Sequence, residues 1–111
     1  MQVPKGLETI RLSQQCKDQL IRLKRVTGIG QWNTLCRWAL LTSLADPTEP
    51  AEGKVVGDSS VEMDWRTFSG EFGEVLLSSL FMRPKCENID DAVPRHIARG
   101  LAVLAERHCG G

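Results

Sequence analysis

Basic side chains in the first third of the chain have the types and the spacing that best suit contact with a charged ligand. Lys17, Lys24 and Arg25 would fall on one face of a helix together with Ile21, because residues four, seven and eight positions apart are neighbours there. This strip predicts either contacts to phosphate groups or an ordinary solvated face that carries one isoleucine. Arg11, just upstream, has the planar guanidinium that suits bidentate contact to guanine.

Charge is distributed unevenly along the chain, although the formal net charge is zero. Residues 1–45 carry a net charge of +5, residues 46–93 carry −7, and the remaining residues carry +2. A basic front beside an acidic middle predicts a surface that faces a polyanion, or head-to-tail pairing between identical subunits. The pI of about 6.7 argues against strong stand-alone binding to nucleic acid.

The sequence lacks the motifs of common enzymes, including the phosphate-binding loop, the dinucleotide-binding glycine motif, the serine nucleophile elbow and H-E-x-x-H. A metal-dependent nuclease needs clustered carboxylates around Mg²⁺ and a nearby base, and Asp64, Glu71 and His96 could converge to form such a site. Their spacing does not require this convergence, and a solvated acidic face is the simpler interpretation. We therefore predict no catalytic residue.

The four cysteines raise the question of metal binding. Cys16 and Cys36 lie in apolar helical patterns, which is typical of small buried hydrophobic residues. The residues that have the chemistry of zinc ligands elsewhere in the chain are Cys86, His96, His108 and Cys109. Their spacing matches no zinc finger, so we expect neither a bound metal nor another cofactor.

A short strand and a helix are predicted to position the basic strip. Residues 7–12 alternate partly between apolar and polar side chains, which indicates a short strand. Ser13 is suited to cap the first helix, and Gly28 is suited to end it in a left-handed conformation. The stripe formed by Cys16, Leu20 and Leu23 would then face the core.

A second helix is expected to start at Gln31 or Asn33 and to end near Ala45, before Pro47. It is apolar on nearly every side, so it must be buried on more than one side. In so small a protein, this favours a subunit interface. Arg37 is the one charged residue on this helix, and because Leu44 lies on the same side, Arg37 is expected to emerge at an edge.

The middle of the chain is predicted to form a loop, an extended segment and a third helix. Residues 46–60 form a polar loop rich in proline and glycine, which we expect to be flexible. Residues 61–65 alternate like a short strand, and residues 67–70 are expected to form a turn. The third helix is expected over residues 71–82, built on Val75, Leu76, Leu77, Leu80 and Phe81.

The last helix is expected to carry Pro94 in its first turn and to end near His108. Gly100 lies in the middle of its apolar face, which predicts the close approach of another helix. Arg95 and Arg99 are expected on the opposite face.

A short strand followed by two helices with a glycine turn is the layout of ribbon-helix-helix proteins. In these proteins two strands pair across a dimer axis and can enter the major groove, and so short a strand needs a partner such as a second copy. The strand residues Glu8, Thr9 and Arg11 are a poor set for reading bases, so we expect DNA binding through backbone contacts. We predict a mainly α, ribbon-helix-helix-like fold with additional C-terminal helices, in a compact single domain over residues 1–111.

Several segments resemble the DndE family, the small fifth component of the bacterial DNA phosphorothioation (Dnd) system. They are Arg11-Leu12-Ser13, residues 20–25, Thr27-Gly28-Ile29, residues 33–40 and Ser43-Leu44, with residues 67–71 and 96–100 in support. The resemblance spans most of the chain except residues 46–60. It implies a ribbon-helix-helix-like homo-tetramer that works beside enzymes which replace a non-bridging phosphate oxygen of DNA with sulfur.

The resemblance also implies binding of double-stranded DNA, preferentially nicked, through basic surface residues. The basic positions of the matching segments, together with the strand arginine, are Arg11, Lys17, Arg22, Lys24, Arg25 and Arg37. Four copies would combine their basic strips, so that weak single contacts give useful binding through avidity. Other Dnd modification proteins are the implied protein partners.

Three functions are consistent with these observations. The first is a non-catalytic DNA-binding subunit of the phosphorothioation machinery, the second is a metal-dependent nicking endonuclease of the same system, and the third is an assembly scaffold for the sulfur-transfer enzymes. No apolar run approaches the roughly 18 residues that span a bilayer, and no signal peptide is evident. We therefore expect a cytoplasmic protein without a membrane partner.

Overall fold

The computed structural model describes residues 8–51, 55–83 and 89–109 and shows a mainly helical chain with one small sheet. The elements, in chain order, are β1 (Thr9–Arg11), α1 (Gln14–Thr27), α2 (Trp32–Leu44), β2 (Glu62–Asp64), α3 (Trp65–Ser69), a 3-10 turn (Gly70–Phe72), α4 (Gly73–Phe81) and α5 (Ile89–Cys109). The predicted fold class is confirmed, because a short strand and two helices come first in the described part of the chain and further helices complete one globule.

α1 forms where the sequence predicts it, because both of its ends are specified locally. The Ser13 hydroxyl accepts a 3.2 Å hydrogen bond from the Cys16 amide, and Gly28 ends the helix at a φ of 76°. Cys16, Leu20 and Leu23 are buried, as expected. The apolar stripe faces the core, so the basic side of the helix faces outward.

β1 pairs in antiparallel register with β2 of the same chain. Ile10 lies opposite Met63, and both side chains are buried, whereas Arg11 lies opposite the exposed Glu62. The predicted extended segment is therefore confirmed and provides the partner strand. This pairing and the buried face supply the stability that a three-residue strand lacks alone.

α2 and α5 form the centre of the core and approach each other closely at Gly100. A Cβ atom at this position would overlap the backbone of Ala39, which confirms the predicted close approach of a second helix. α5 begins at Ile89, so Pro94 lies in its second turn, and the prediction of a first-turn position is wrong. Burial of Ile89 and Val93 stabilises the preceding turn and offsets the backbone hydrogen bond that Pro94 cannot donate.

The segment from α3 to α4 differs from the sequence prediction in two respects. Residues 67–70, expected to form a turn, belong mostly to α3, because Asp64 caps this helix by accepting a 2.6 Å hydrogen bond from the Thr67 amide. The three leucines of α4 are buried as expected, but Val75 and Phe81 are 62% and 56% exposed. The leucines alone cover the core, and the other apolar residues of α4 face solvent.

The described parts of the polar loop, residues 46–51 and 55–60, contact the helical body. Pro50 and Ser59 are buried, and the Ser59 hydroxyl donates a 2.6 Å hydrogen bond to the Leu12 carbonyl. The flexibility of the loop stays a prediction. None of the helices in the described part of the chain combines the length and the apolar character that a bilayer span requires.

Candidate nucleic-acid interface

Three of the candidate residues, Lys17, Lys24 and Arg25, lie together on the outer side of α1, and we call this surface the α1 basic face. Lys24 and Arg25 are exposed, and Lys17 is partly buried. Ile21, expected on the same face, is 41% exposed. Since the apolar stripe of α1 is turned to the core, these three cations share the solvent side of one helix.

Two of the candidates are held by residues near the sheet. Lys17 Nζ donates a 2.7 Å hydrogen bond to Ser60 Oγ, and Arg11 forms a 2.6 Å ion pair with Glu62 across the sheet. Both contacts are exposed, so a phosphate group can compete for either cation. Because Glu62 balances the charge of Arg11, this arginine offers a weaker contact to a polyanion than the α1 basic face does.

The turn between α1 and α2 adds an aromatic ring to the α1 basic face. Lys24 Nζ lies 4.9 Å from the centre of the Trp32 ring, which is a cation–π contact. Trp32 is partly buried and is the first residue of α2. Because α2 begins at this turn, the positive end of its dipole also lies here. Gln31, at the N-cap, makes no side-chain capping bond.

The other two candidates are Arg22 and Arg37. Arg22 is exposed on α1 and stands three positions before Arg25, so it borders the α1 basic face on the side opposite to Lys17 and Lys24. Arg37 is partly buried on α2, where its guanidinium donates a 3.4 Å hydrogen bond to the Ser69 carbonyl and lies 5.8 Å from the Phe72 ring centre. Arg37 thus connects α2 to the end of α3.

A polar cluster that the sequence pattern does not predict lies between the end of α2 and α5. Ser43 Oγ is 2.8 Å from Nδ1 of His96, and Arg99 donates to the same Oγ at 2.8 Å and to the Ser43 carbonyl at 2.7 Å. Arg99 therefore faces α2, and the prediction that it lies on the side away from the helix contact is wrong. The feature of the sequence that could have indicated this cluster is Ser43, a polar residue in a helix face that is otherwise apolar.

Burial is the main cause that lowers the pKa of His96 to about 4, and the nearby Arg99 and Arg83 lower it further. Glu49 opposes this effect from 3.9 Å, the distance between its Oε2 and Nε2 of His96. The ring is therefore neutral at pH 7. A neutral, buried imidazole hydrogen-bonded to a serine is part of the core and is not exposed to a substrate.

The side chains considered for a metal-dependent nuclease have separate structural roles. Asp64 caps α3, and the hydrogen bonds from Thr67 lower the pKa of its carboxyl. Glu71 lies in the 3-10 turn, and His96 is bound to Ser43. Within residues 8–51, 55–83 and 89–109, no three His, Cys, Asp or Glu side chains are grouped as metal ligands.

Cys16 and Cys36 are buried free thiols, as the sequence predicts. Burial raises the pKa of the Cys36 thiol to about 12, with a further contribution from the neighbouring Cys16. Cys36 therefore acts as a small hydrophobic residue. Cys86, one of the four residues with zinc-ligand chemistry, lies outside the described residues.

Comparison with known proteins gives a consistent result. The family model of DndE, described as DNA sulphur modification protein DndE, matches residues 9–109. The crystal structure of DndE from Escherichia coli B7A, involved in DNA phosphorothioation modification, is 28% identical, with a TM-score of 0.77 over 94% of this chain and 99% of that chain. A DndE mutant involved in DNA phosphorothioation is 26% identical, with a TM-score of 0.73 and the same coverage. No curated protein sequence matches the chain.

Proposed function

The chain belongs to the DndE family of DNA sulphur modification proteins, and from this premise we propose that it is a DNA-binding, non-catalytic subunit of the phosphorothioation machinery. Family membership involves the protein in DNA phosphorothioation, which makes DNA and other Dnd proteins its partners at that coarse level. The finer proposal is that it binds duplex DNA directly, prefers nicked duplexes, and acts in the cytoplasm as a homo-tetramer.

The observation that carries this proposal is the α1 basic face. α1 holds four basic residues and one acidic residue, Asp18, which lies nearer the start of the helix and accepts a hydrogen bond from Gln14. Lys24 and Arg25 stand together in the last turn and are exposed. Exposed cations grouped on one helix can replace counterions along a phosphate backbone without reading the base sequence.

The non-catalytic role is supported by the contacts of the residues that a nuclease would need. Asp64 is engaged as the cap of α3, and His96 is buried and neutral against Ser43. A side chain that is held in a helix cap or in the core is poorly placed to bind a metal ion or to activate water.

Assembly into an oligomer is supported by exposed apolar side chains of α4 and of the residues at its two ends. Phe72, Val75 and Met82 recur at helical spacing and are 54%, 62% and 83% exposed. Copies that cover these side chains would carry several α1 basic faces, and their phosphate contacts would combine through avidity. A nick lowers the cost of bending a duplex onto such an assembly, which is a physical reason for a preference for nicked DNA.

The test is a gel-shift titration of intact and nicked duplexes of the same sequence, with the Lys24→Glu and Arg25→Glu variants. We expect each reversal to weaken binding about tenfold, because one phosphate contact becomes a repulsion. The matched control is Arg107→Glu, which reverses an exposed basic residue in the last turn of α5 and so alters a helix dipole in the same way. Wild-type binding by both α1 variants, or an equal loss in the control, contradicts the assignment of this face.

An assembly scaffold is the second candidate function, and the exposed apolar side chains of α4 favour it. The same titration separates the two functions. A folded wild-type oligomer that shifts neither duplex at low salt, yet binds the sulfur-transfer enzymes, would support the scaffold. Salt-sensitive binding of DNA by the protein alone would support the first proposal.

A further inference from the structure

We propose that Trp32 and Lys24 form a stacking site for a base that is exposed at a break in DNA. The proposal rests on the proposed DNA binding and adds the part of the nucleic acid that the α1 basic face selects. Trp32 begins α2, and the ammonium of Lys24 lies 4.9 Å from the centre of its ring. An aromatic ring beside exposed cations is the combination with which proteins bind unpaired nucleotides.

Trp32 is partly buried against the core, but the turn that precedes it is exposed. Gly28, Gly30 and Gln31, which form the turn before it, are exposed. A Cβ atom at either glycine would meet no atom within 4 Å, so neighbouring side chains do not crowd the turn. A base that leaves the duplex stack can therefore approach the ring from the side of this turn.

The other two tryptophans differ from Trp32 in their surroundings. Trp65 is 6% exposed, and its ring packs on Phe68 with the ring centres 5.5 Å apart. Trp38 contacts the ring of His108 near the end of α5, at 5.2 Å between centres. Trp32 is the tryptophan whose ring is contacted by a cation of the α1 basic face.

Lys24 covers the ring in the free protein and can leave it when DNA binds. Its side chain is a flexible four-carbon stem with a strongly hydrated ammonium, which suits transfer from the ring to a phosphate group. A cation–π contact at an exposed site is weaker than the stacking of a base on an aromatic ring. A base that displaces the Lys24 ammonium from the ring, while the ammonium moves to a phosphate group, therefore gives a net favourable exchange.

A base inside an intact duplex is stacked on both sides and cannot reach Trp32 without being unpaired. A base at a nick has lost one backbone connection, so it can rotate out of the stack at lower cost. The site should therefore contribute to binding of broken or unpaired DNA and contribute little to binding of intact duplexes. This distinguishes its effect from that of Arg25, which contacts phosphates in either duplex.

The experiment compares Trp32→Leu and Trp32→Phe with the wild type on intact and nicked duplexes of the same sequence. Leucine keeps an apolar side chain against the core but removes the aromatic face, whereas phenylalanine keeps a smaller face. We expect Trp32→Leu to weaken binding of nicked DNA about five- to tenfold and to leave intact-duplex binding within about twofold, with Trp32→Phe between. The Arg25→Met control should weaken binding of both duplexes equally.

A second measurement remains decisive if the leucine variant does not fold. The wild-type protein is irradiated with a nicked duplex that carries 5-iododeoxyuridine at the break, and the crosslinked peptide is mapped by mass spectrometry. A crosslink on Trp32 supports the proposal. A crosslink elsewhere, or a folded Trp32→Leu variant with an unchanged ratio of affinities, overturns it while direct DNA binding stands; a wild-type protein that binds neither duplex overturns both proposals.

Discussion

Replacement of Gly100 by alanine should destabilise the protein by about 2 kcal/mol, because this glycine is the point at which α5 meets the backbone of α2. The added Cβ would overlap the carbonyl group of Ala39, and backbone atoms cannot rotate aside. The Cβ would lie 1.8 Å from the Ala39 oxygen, whereas such contacts essentially never fall below 3.0 Å, so the two helices would have to separate by about 1.2 Å or more in a close-packed core. Overpacking of this kind costs about 3 kcal/mol at the upper end of its usual range, and the higher helix propensity of alanine returns about 1 kcal/mol.

The assay is urea denaturation followed by far-ultraviolet circular dichroism, supported by a melting curve that should shift down by about 8 °C. Gly30→Ala is the matched control. A Cβ at Gly30 meets open space, and the residue has no left-handed φ, so this change should be neutral or stabilise the protein by up to about 1 kcal/mol. Equal unfolding midpoints for the two variants would refute the inference of close packing between α2 and α5.

Three further predictions follow from the local contacts. The free energy of unfolding should fall as the pH is lowered from about 6.5 to about 4. His96 has a pKa of about 4 in the folded chain and 6.5 in the unfolded chain, so the unfolded chain binds the extra proton. His96→Asn should reduce the change in the urea midpoint between pH 7 and pH 5. Ser13→Ala should cost about 1 kcal/mol in urea denaturation, since it removes the cap of α1. Asp64→Asn should leave plasmid relaxation unchanged with and without EDTA, and an EDTA-sensitive activity lost only in this variant would favour the endonuclease.

The parts of the fold that the sequence predicts correctly are those specified by neighbouring residues. Ser13 and Gly28 define the ends of α1, and the spacing of Cys16, Leu20 and Leu23 defines its buried side. The close approach of another helix at Gly100 is also predicted, because a glycine in the middle of an apolar helix face indicates such a contact, although the pattern does not specify that the helix is α2. These signals act within one or two helical turns and do not depend on the rest of the fold.

The parts that the sequence does not predict depend on contacts between distant segments. The partner of β1 is β2, about fifty residues away, and no pattern in Thr9–Arg11 identifies it. Arg99 of α5 donates a hydrogen bond to Ser43 of α2. The charge of Arg99 alone predicts a position in solvent. Val75 is apolar but exposed, because the leucines of α4 already cover the core.

The candidate site likewise has one part that the sequence predicts and one part that it does not. Helical spacing predicts that Lys17, Lys24 and Arg25 share a face, since this follows from one helix. The contact between Lys24 and Trp32 depends on how α2 turns back after Gly28, which spacing does not specify. The sequence therefore predicts which cations share a face, but it does not predict that the ring of Trp32 lies beside them.

Direct binding of DNA through the cations of α1 is the property on which the rest of the proposed function depends. The most direct measurement is the dissociation constant of the wild-type protein for nicked and intact duplexes over a range of salt concentrations, with the oligomer sized by light scattering. For each α1 basic face engaged through its three cations, we expect the logarithm of the dissociation constant to rise by about 2.7 per tenfold increase in salt, with the nicked duplex bound more tightly. A well-folded oligomer that shifts neither duplex at low salt would contradict direct binding.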